Sequence, residues 1–289
     1  MDAKAPVGVV GLGLMGSAIA ARLREAGFAT VGFDTEPEKL SRAEVLGVQR
    51  AGAAREIADR CGCIVLAVFD TSDVEQVIAE LLPVAAGRTL VCTTTCDPER
   101  IERIAGSVTQ AGMSLVEFPI AGTSAQLRRG EAIGLLGGSA DAIEGARDVL
   151  AAICAKHFSF GAVGSAARAK LAVNLVLQLN RAALAEGLVF AERMGLDSRK
   201  LLALLRASPA RSEVMDAKGD KMLGRDYAPE SRIAQTLKDA QLMLAEAKRR
   251  GQRLPLMEAN AALLATAARE DGERDSAAVI EAIRASRSP

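Results

Sequence analysis

The stretch VGVVGLGLMGSAIA (7–20) decides the fold. Val7–Gly11 reads as a short buried strand, a run of β-branched residues closed by glycine. Leu14 to Gly27 follows at helical spacing. Between them stands Gly11-Leu-Gly13-Leu-Met-Gly16, a G-x-G-x-x-G loop between a strand and a helix. In such a loop the first glycine permits the tight turn, the second lets backbone approach a pyrophosphate, and the third lets helix and strand pack closely. The helix start then offers N–H groups to the phosphates. The loop alone is a weak signal. Here a second strand, TVGFD (30–34), ends in Asp34 at about the 20-residue spacing of a dinucleotide fingerprint. The pattern predicts that Gly11, Leu12, Gly13, Leu14, Met15 and Gly16 cradle a dinucleotide. Asp34 would accept from the ribose 2′-hydroxyl and repel a 2′-phosphate, which favours NAD over NADP. Its neighbours Thr35 and Glu36 bring no arginine. A helix cap is the other reading of Asp34, since Pro37 follows closely.

Further along, IVLAVF (64–69), TLVCTT (89–94), SLVEFP (114–119), AIGLLGG (132–138) and HFSF (157–160) read as strands separated by helical or loop segments. The alternation predicts an α/β fold, a doubly wound parallel sheet with helices on both faces. After about Gly164 helical segments follow one another: roughly 165–194, 198–206, 211–222, 232–250, 255–271 and 275–285. Asp197-Ser198 and Ser276 look like starts, and Gly195 and Gly251 like stops. The expected organisation is a Rossmann domain over 1–164 and an all-helical domain over 165–289, with the tail RASRSP frayed.

Composition narrows the function. With 36 basic and 36 acidic residues the formal charge is zero, so no broad field draws the chain to nucleic acid or anionic lipid. The most apolar long stretch, Leu171 to Met194, is broken by Asn174, Gln178, Asn180, Arg181, Glu186 and Glu192, so a buried helix is expected and not a membrane span. The first residues lead straight into a strand without an apolar leader, and the cytoplasm is the expected location. Cys61, Cys63, Cys92, Cys96 and Cys154 form no C-x-x-C pair and His157 is the only histidine, so no metal site is expected. The thiols are read as reduced, small and buried.

Taken together, GLGLMGSAIA (11–20), TTTCDP (93–98), FPIAGTSAQLRRGEAIGLLGG (118–138), GAVGSAARAKLAVN (161–174) and LKDAQLMLAEA (237–247) resemble the β-hydroxyacid dehydrogenase family. That family includes 3-hydroxyisobutyrate dehydrogenases and tartronate semialdehyde reductases. Four motifs besides the opening one, in the right order, make the match specific, and it spans nearly the whole chain. The resemblance implies an oxidoreductase acting on a small hydroxy acid or its semialdehyde, and a homodimer or homotetramer. It sets Lys170 as the catalytic proton donor or acceptor and Thr95 by the nicotinamide ribose. Ala121, Gly122, Thr123, Asn174 and Lys238 would lie by the substrate, with Lys238 also near the nicotinamide. The backbone of Phe69-Asp70 would pass the adenosine side.

The residues themselves bear on Lys170. It shares a helix face with Asn174, and the neighbours Leu171, Ala172, Val173, Leu175, Val176 and Leu177 predict burial all round. Desolvation would lower a lysine pKa towards neutrality, as acid/base work requires. A packed lysine snorkelling outward is the plainer reading, and for Lys238 it is a solvated helix charge. His157 is read as structural.

Departures from the family pattern are also legible. Ala121-Gly122-Thr123-Ser124 stands where serine-glycine-glycine is usual. Gln126 replaces a glycine, Val173 an asparagine and Ser231 a phenylalanine, with Arg232 beside it. They suggest a more polar substrate, polyhydroxylated or doubly acidic, of three to five carbons. Arg128 and Arg129 could bind an anion or simply face solvent. Asp70 stands where proline is usual, without an evident reason in the sequence. An imine reductase of related fold and a silent dinucleotide-binding scaffold are the competing readings; both typically lack the lysine at 170.

Overall fold

A computed structural model describes residues 4–286 of the chain. The backbone divides into two compact units, Met1–Lys170 and Leu171–Pro289.

In the first unit the strands are β1 (Val7–Val10), β2 (Thr30–Phe33), β3 (Gln49–Arg50), β4 (Cys63–Leu66), β5 (Thr89–Cys92), β6 (Ser114–Glu117), β7 (Ile120–Ala121), β8 (Ile133–Gly137) and β9 (Lys156–Gly161). The helices between them are α1 (Leu14–Glu25), α2 (Pro37–Val45), α3 (Ala54–Arg60), α4 (Thr71–Leu81), α5 (Pro98–Gln110), α6 (Ser124–Arg128), α7 (Ala140–Gly145) and α8 (Arg147–Ile153). The sheet order is β3-β2-β1-β4-β5-β6-β8-β7, with β9 on β8. This is the Rossmann order, and it reverses direction between β1 and β4, where the carboxyl ends of the strands open a crevice.

Strand residues alternate between two cores. Val65, Val91 and Val116 pack with Ile19 and Leu23 of α1 and Leu150 of α8. Their neighbours Ile64, Leu66, Leu90 and Leu115 pack with Ile57 of α3, Ile78 of α4 and Ile101 of α5. Period-two alternation between two apolar faces is what makes each strand read as a continuous hydrophobic run.

The expected parallel Rossmann sheet is present from β3 to β6, and the structure departs from the sequence reading only at the sheet's edge and at the strand ends. The sheet is mixed, because β8 runs antiparallel to β6 and β7. Only two residues separate β6 from β7, and one short helix lies between β7 and β8. A parallel return needs a crossover of about a dozen residues or more. Six of the predicted strands end one to three residues before their expected limits, while β9 runs one residue past its own. Gly11, Asp34, Phe69 and Thr93–Thr94 therefore lie in the loops at the carboxyl edge, where a ligand-binding backbone belongs.

Helix α9 (Ser165–Arg193) begins in the first unit and continues into the second. Then come α10 (Ser198–Ala207), α11 (Glu213–Gly224), α12 (Ile233–Arg249), α13 (Pro255–Asp271), a 3-10 turn (Ser276–Ala278) and α14 (Val279–Ala285). The expected stops hold: Gly195 and Gly251, both at positive φ, follow α9 and α12. Asp197 caps α10 through the N–H groups of Arg199 and Lys200. The cap at the last start is Asp275 rather than Ser276. RASRSP begins inside α14, and its last three residues lie outside the described residues.

The second unit is built around leucines and methionines, among them Leu184, Leu188, Met215, Met222, Met243, Met257 and Leu264. Polar groups also lie inside it. The Lys218 ammonium donates to Asp275 Oδ2 at 2.9 Å, and the N–H groups of Glu230, Ser231 and Ala277 also donate to that carboxylate. These bonds compensate the desolvated pair.

The expectation that the middle of α9 is buried on all sides is wrong. Val173, Val176 and Leu177 are exposed, whereas Asn174, Gln178 and Arg181 are buried. These three recur at i, i+4 and i+7 and form one polar seam. Asn174 Nδ2 donates to Asp239 Oδ2, Gln178 Nε2 to the Thr236 carbonyl and Arg181 Nη1 to Ser276 Oγ. Each has a specific partner on α12 or the 3-10 turn, so burial follows hydrogen bonding here rather than hydrophobicity. Burial pushes the Arg181 guanidinium down to about 10, against the opposing pull of Asp275 and Asp239.

Candidate active site

Helix α1 starts at Gly13 with no side-chain cap and no acidic residue in its first turn. Its leading N–H groups are therefore available in kind to an anion. The glycines have separable roles. A Cβ on Gly11 would sit 2.5 Å from the Ala67 carbonyl oxygen, and φ there is +89°. One on Gly16 would sit 1.8 Å from the Gly11 oxygen. A Cβ on Gly13 meets nothing within 4 Å, so it would project into open space at the helix start. Gly11 and Gly16 are required by the protein's own packing. Gly13 leaves room for something else, and a pyrophosphate fits that opening. Leu12 buries its side chain in the core, and Leu14 and Met15 are half-buried in the first turn. The Leu12 backbone is taken up within the protein, its N–H by Asp34 and its carbonyl by the Ser17 hydroxyl.

Asp34 is buried just past β2. Its Oδ2 accepts the Leu12 N–H at 2.7 Å and its Oδ1 the Glu36 N–H at 2.9 Å. It is not the helix cap, since Glu36 holds that position at α2. The carboxylate ties the end of β2 to the glycine loop. Lys39 Nζ stands 3.9 Å from Asp34 Oδ1 and 2.6 Å from Glu36 Oε1, a cation the sequence reading did not weigh.

Asp70 now has a physical account. It is the N-cap of α4, its side chain accepts the Asp73 N–H, and Asp73 in turn accepts the Asp70 N–H, a reciprocal capping box. Phe69 is exposed beside it. The loops after β4 and β5 are laced together. Thr93 Oγ1 donates to the Leu66 carbonyl, Thr94 Oγ1 to the Val68 carbonyl, and the Asp97 N–H to Thr71 Oγ1. Thr95 is buried between these ties.

Lys170 is buried in the first unit. Its ammonium donates to the Ile120 carbonyl at 2.7 Å, immediately before Ala121, Gly122 and Thr123. The lysine and the predicted substrate loop are thus brought together. In that loop Thr123 caps α6: its Oγ1 accepts the Gln126 N–H, and Gln126 Oε1 accepts the Thr123 N–H. Arg129 pairs with Glu131. His157 is exposed on β9, edge-on to Phe118.

The second unit assembles another group. Asn174 and Lys238 meet at Asp239. The amide donates to Oδ2 at 2.8 Å, and the ammonium forms an ion pair with Oδ1 at 2.8 Å. Replacing Asp239 with alanine removes this shared acceptor. We expect the unfolding free energy to fall by about 1–3 kcal/mol, measured by urea denaturation. Ser231 Oγ lies 2.8 Å from Ser276 Oγ in the polar interior, so its hydroxyl serves the unit's own network.

Sequence reasoning passed over Glu117. It closes β6, is buried, and accepts the N–H groups of Gly164 at 2.5 Å and Ala167 at 3.2 Å, at the start of α9. Burial pushes its carboxyl up to about 7, against the opposing pull of these N–H groups and Arg168. Its folded value lies above the ordinary 4.5, so its stabilising contribution is full below about pH 4.5 and fades as pH rises through about 7. The available signal was a carboxylate ending an otherwise apolar core strand.

Two family models match the chain in succession over residues 6–283. The NAD-binding domain of 6-phosphogluconate dehydrogenase covers residues 6–163, and the NAD-binding domain of NADP-dependent 3-hydroxyisobutyrate dehydrogenase covers 164–283. The chain belongs to the 3-hydroxyisobutyrate dehydrogenase family. It is 31% identical to the L-threonate dehydrogenase of Cupriavidus necator over 94% of both chains. It is 28% identical to the 2-hydroxy-3-oxopropionate reductase of Escherichia coli K12 over 96% of both. The crystal structure of a 3-hydroxyisobutyrate dehydrogenase from Salmonella typhimurium superposes with a TM-score of 0.89 at 25% identity, covering 96% of this chain and 99% of that one. As a member of this β-hydroxyacid dehydrogenase family the chain is an oxidoreductase acting on the CH–OH group of small hydroxy acids, with NAD(P) as cofactor. No helix among the described residues is long and apolar enough to cross a membrane.

Proposed function

We propose that this chain interconverts a small polyhydroxylated or doubly acidic hydroxy acid and its carbonyl counterpart, preferring NAD, with Lys170 as general acid and base. The observation that carries the reading is the buried Lys170 ammonium held on the Ile120 carbonyl beside Ala121–Thr123. The bound dinucleotide supplies or takes the hydride. Lys170 gives its proton to the carbonyl oxygen as charge develops there, and takes it back in the oxidative direction. Backbone around Gly122 and the carboxamide of Asn174 orient the acid, and Lys238 attracts its carboxylate. Thr95 and the backbone of Phe69-Asp70 bound the cofactor. Against an imine reductase or a silent scaffold stands the lysine itself, together with Asn174.

The substrate class draws support from the two relatives, one named for threonate and one for 2-hydroxy-3-oxopropionate. Thr123, Gln126 and Ser231 lend it less than their chemistry suggests, because each bonds within the protein. Preference for NAD rests on Asp34, whose charge opposes a 2′-phosphate; Lys39 close by opposes that effect. A homodimer or homotetramer belongs to the same proposal, with the exposed Val173, Val176 and Leu177 as apolar surface for a second copy. A panel of short aldehyde and keto acids with NADH and NADPH, followed by absorbance, tests the whole. Turnover is expected to be fastest with hydroxylated C3–C4 acids and at least about tenfold better with NADH. Preference for branched aliphatic acids would sink the substrate class. No oxidation of either cofactor by any acid would sink the enzymatic reading.

A further inference from the structure

Glu117 and Lys170 are joined through the fold. Residues 117–120 leave β6, pass Pro119 and enter β7. At one end of this segment the Glu117 carboxylate accepts the N–H groups of Gly164 and Ala167, at the start of α9. At the other end the Ile120 carbonyl accepts the Lys170 ammonium, less than one turn further along that helix. The two grips close a small ring through Glu117, Ala167, Lys170 and Ile120. We infer that Glu117 is a positioning residue for catalysis: it clamps the first turn of α9 to the 117–120 segment and thereby fixes where the Lys170 ammonium stands. This rests on the reading of Lys170 as the proton-transfer group.

The surroundings are shaped for this carboxylate. A Cβ on Gly137 of β8 would lie 2.7 Å from Glu117 Oε2, so the neighbouring strand leaves the space open. On α9, Arg168 faces the same turn but is neutralised by Glu102 of α5 at 2.7 Å. From β5, Cys92 is the other titratable neighbour, and its contact with Cys96, together with burial, keeps that thiol neutral. The partners of the Glu117 carboxylate are the Gly164 and Ala167 N–H groups, so its charge is held mainly by the helix start. An ionised carboxylate accepts several N–H donors at a helix start. A neutral one turns one oxygen into a donor that faces donors, and the clamp loosens. Since the carboxyl titrates at about 7, this change falls in the working range.

The test uses the full chain with saturating NADH and the best acid of the panel. Glu117→Gln keeps the shape and mimics the neutral state. At pH 8, kcat is expected to drop about 10- to 100-fold, the scale on which a small displacement of a reacting group is felt. NADH affinity should stay unchanged. The parent should lose kcat as pH falls through about 7 and approach the variant, whose profile lacks that limb. Parent-like kcat in a Glu117→Gln protein of lowered melting temperature overturns the inference, because the cap is then only structural. If that variant does not fold, the parent's own profile decides: absence of a limb near 7 overturns it. Lys170→Met runs in parallel. Activity there overturns the lysine reading itself, whereas loss of activity there with parent-like Glu117→Gln overturns only the role of Glu117.

Discussion

Lys170→Met is expected to reduce kcat by about 10²- to 10⁴-fold, the range that a positioned general acid contributes. The replacement is close in length and apolar, and its site is buried. It deletes the proton and the bond to the Ile120 carbonyl and leaves the packing volume nearly intact. Losing a carbonyl's partner costs about 1–3 kcal/mol, but removing a desolvated charge offsets part of that. The melting temperature should therefore move little, and dinucleotide binding should be retained. Lys170→Arg should fail to rescue, because a guanidinium does not give up its proton near neutral pH and is planar and broader. The check is steady-state kcat on folded, cofactor-loaded protein. Turnover of the methionine variant at the parent's rate would refute the mechanism outright.

Gly13→Val should separate cofactor binding from folding. At this position φ is −66°, an ordinary value for any residue, and a Cβ there meets nothing. The chain without ligand should fold with an unchanged melting temperature. The valine side chain projects into the opening at the start of α1, where the pyrophosphate is proposed to lie. An overlap costing about 1–3 kcal/mol corresponds to about a 10- to 100-fold weaker dinucleotide Kd. Gly16→Ala makes the contrast. Its methyl would sit 1.8 Å from the Gly11 carbonyl oxygen, so the backbone must move and the melting temperature falls even without ligand. Fluorescence titration with NADH beside thermal melts of all three proteins reads both effects. Parent-like NADH affinity in Gly13→Val would remove the pyrophosphate from this cradle.

Which features were legible follows from how local their causes are. The glycine loop, Asp34 closing the next strand, and the change from alternating strands to successive helices are one-dimensional patterns, and the fold repeats them. Asp70 was local as well. Asp70-Thr-Ser-Asp73 is a capping box legible in the sequence itself, where comparison with a family proline obscures it. The seam of Asn174, Gln178 and Arg181 has helical spacing too. It reads as an interruption of a hydrophobic helix until Asp239, Thr236 and Ser276 are seen to receive it.

The sequence by itself determined the succession of strands and helices and the glycine loop after the first strand, because these rest on steric and periodic rules acting within about thirty residues, while Lys170 stood out only by resemblance to the family. Only the tertiary structure decided that α9 turns apolar side chains outward and amides inward. It alone joined Glu117 to the first turn of a helix nearly fifty residues later, and set the Lys170 ammonium on the Ile120 carbonyl. A buried polar group must find its partner wherever the fold brings one, and that pairing has no period along the chain.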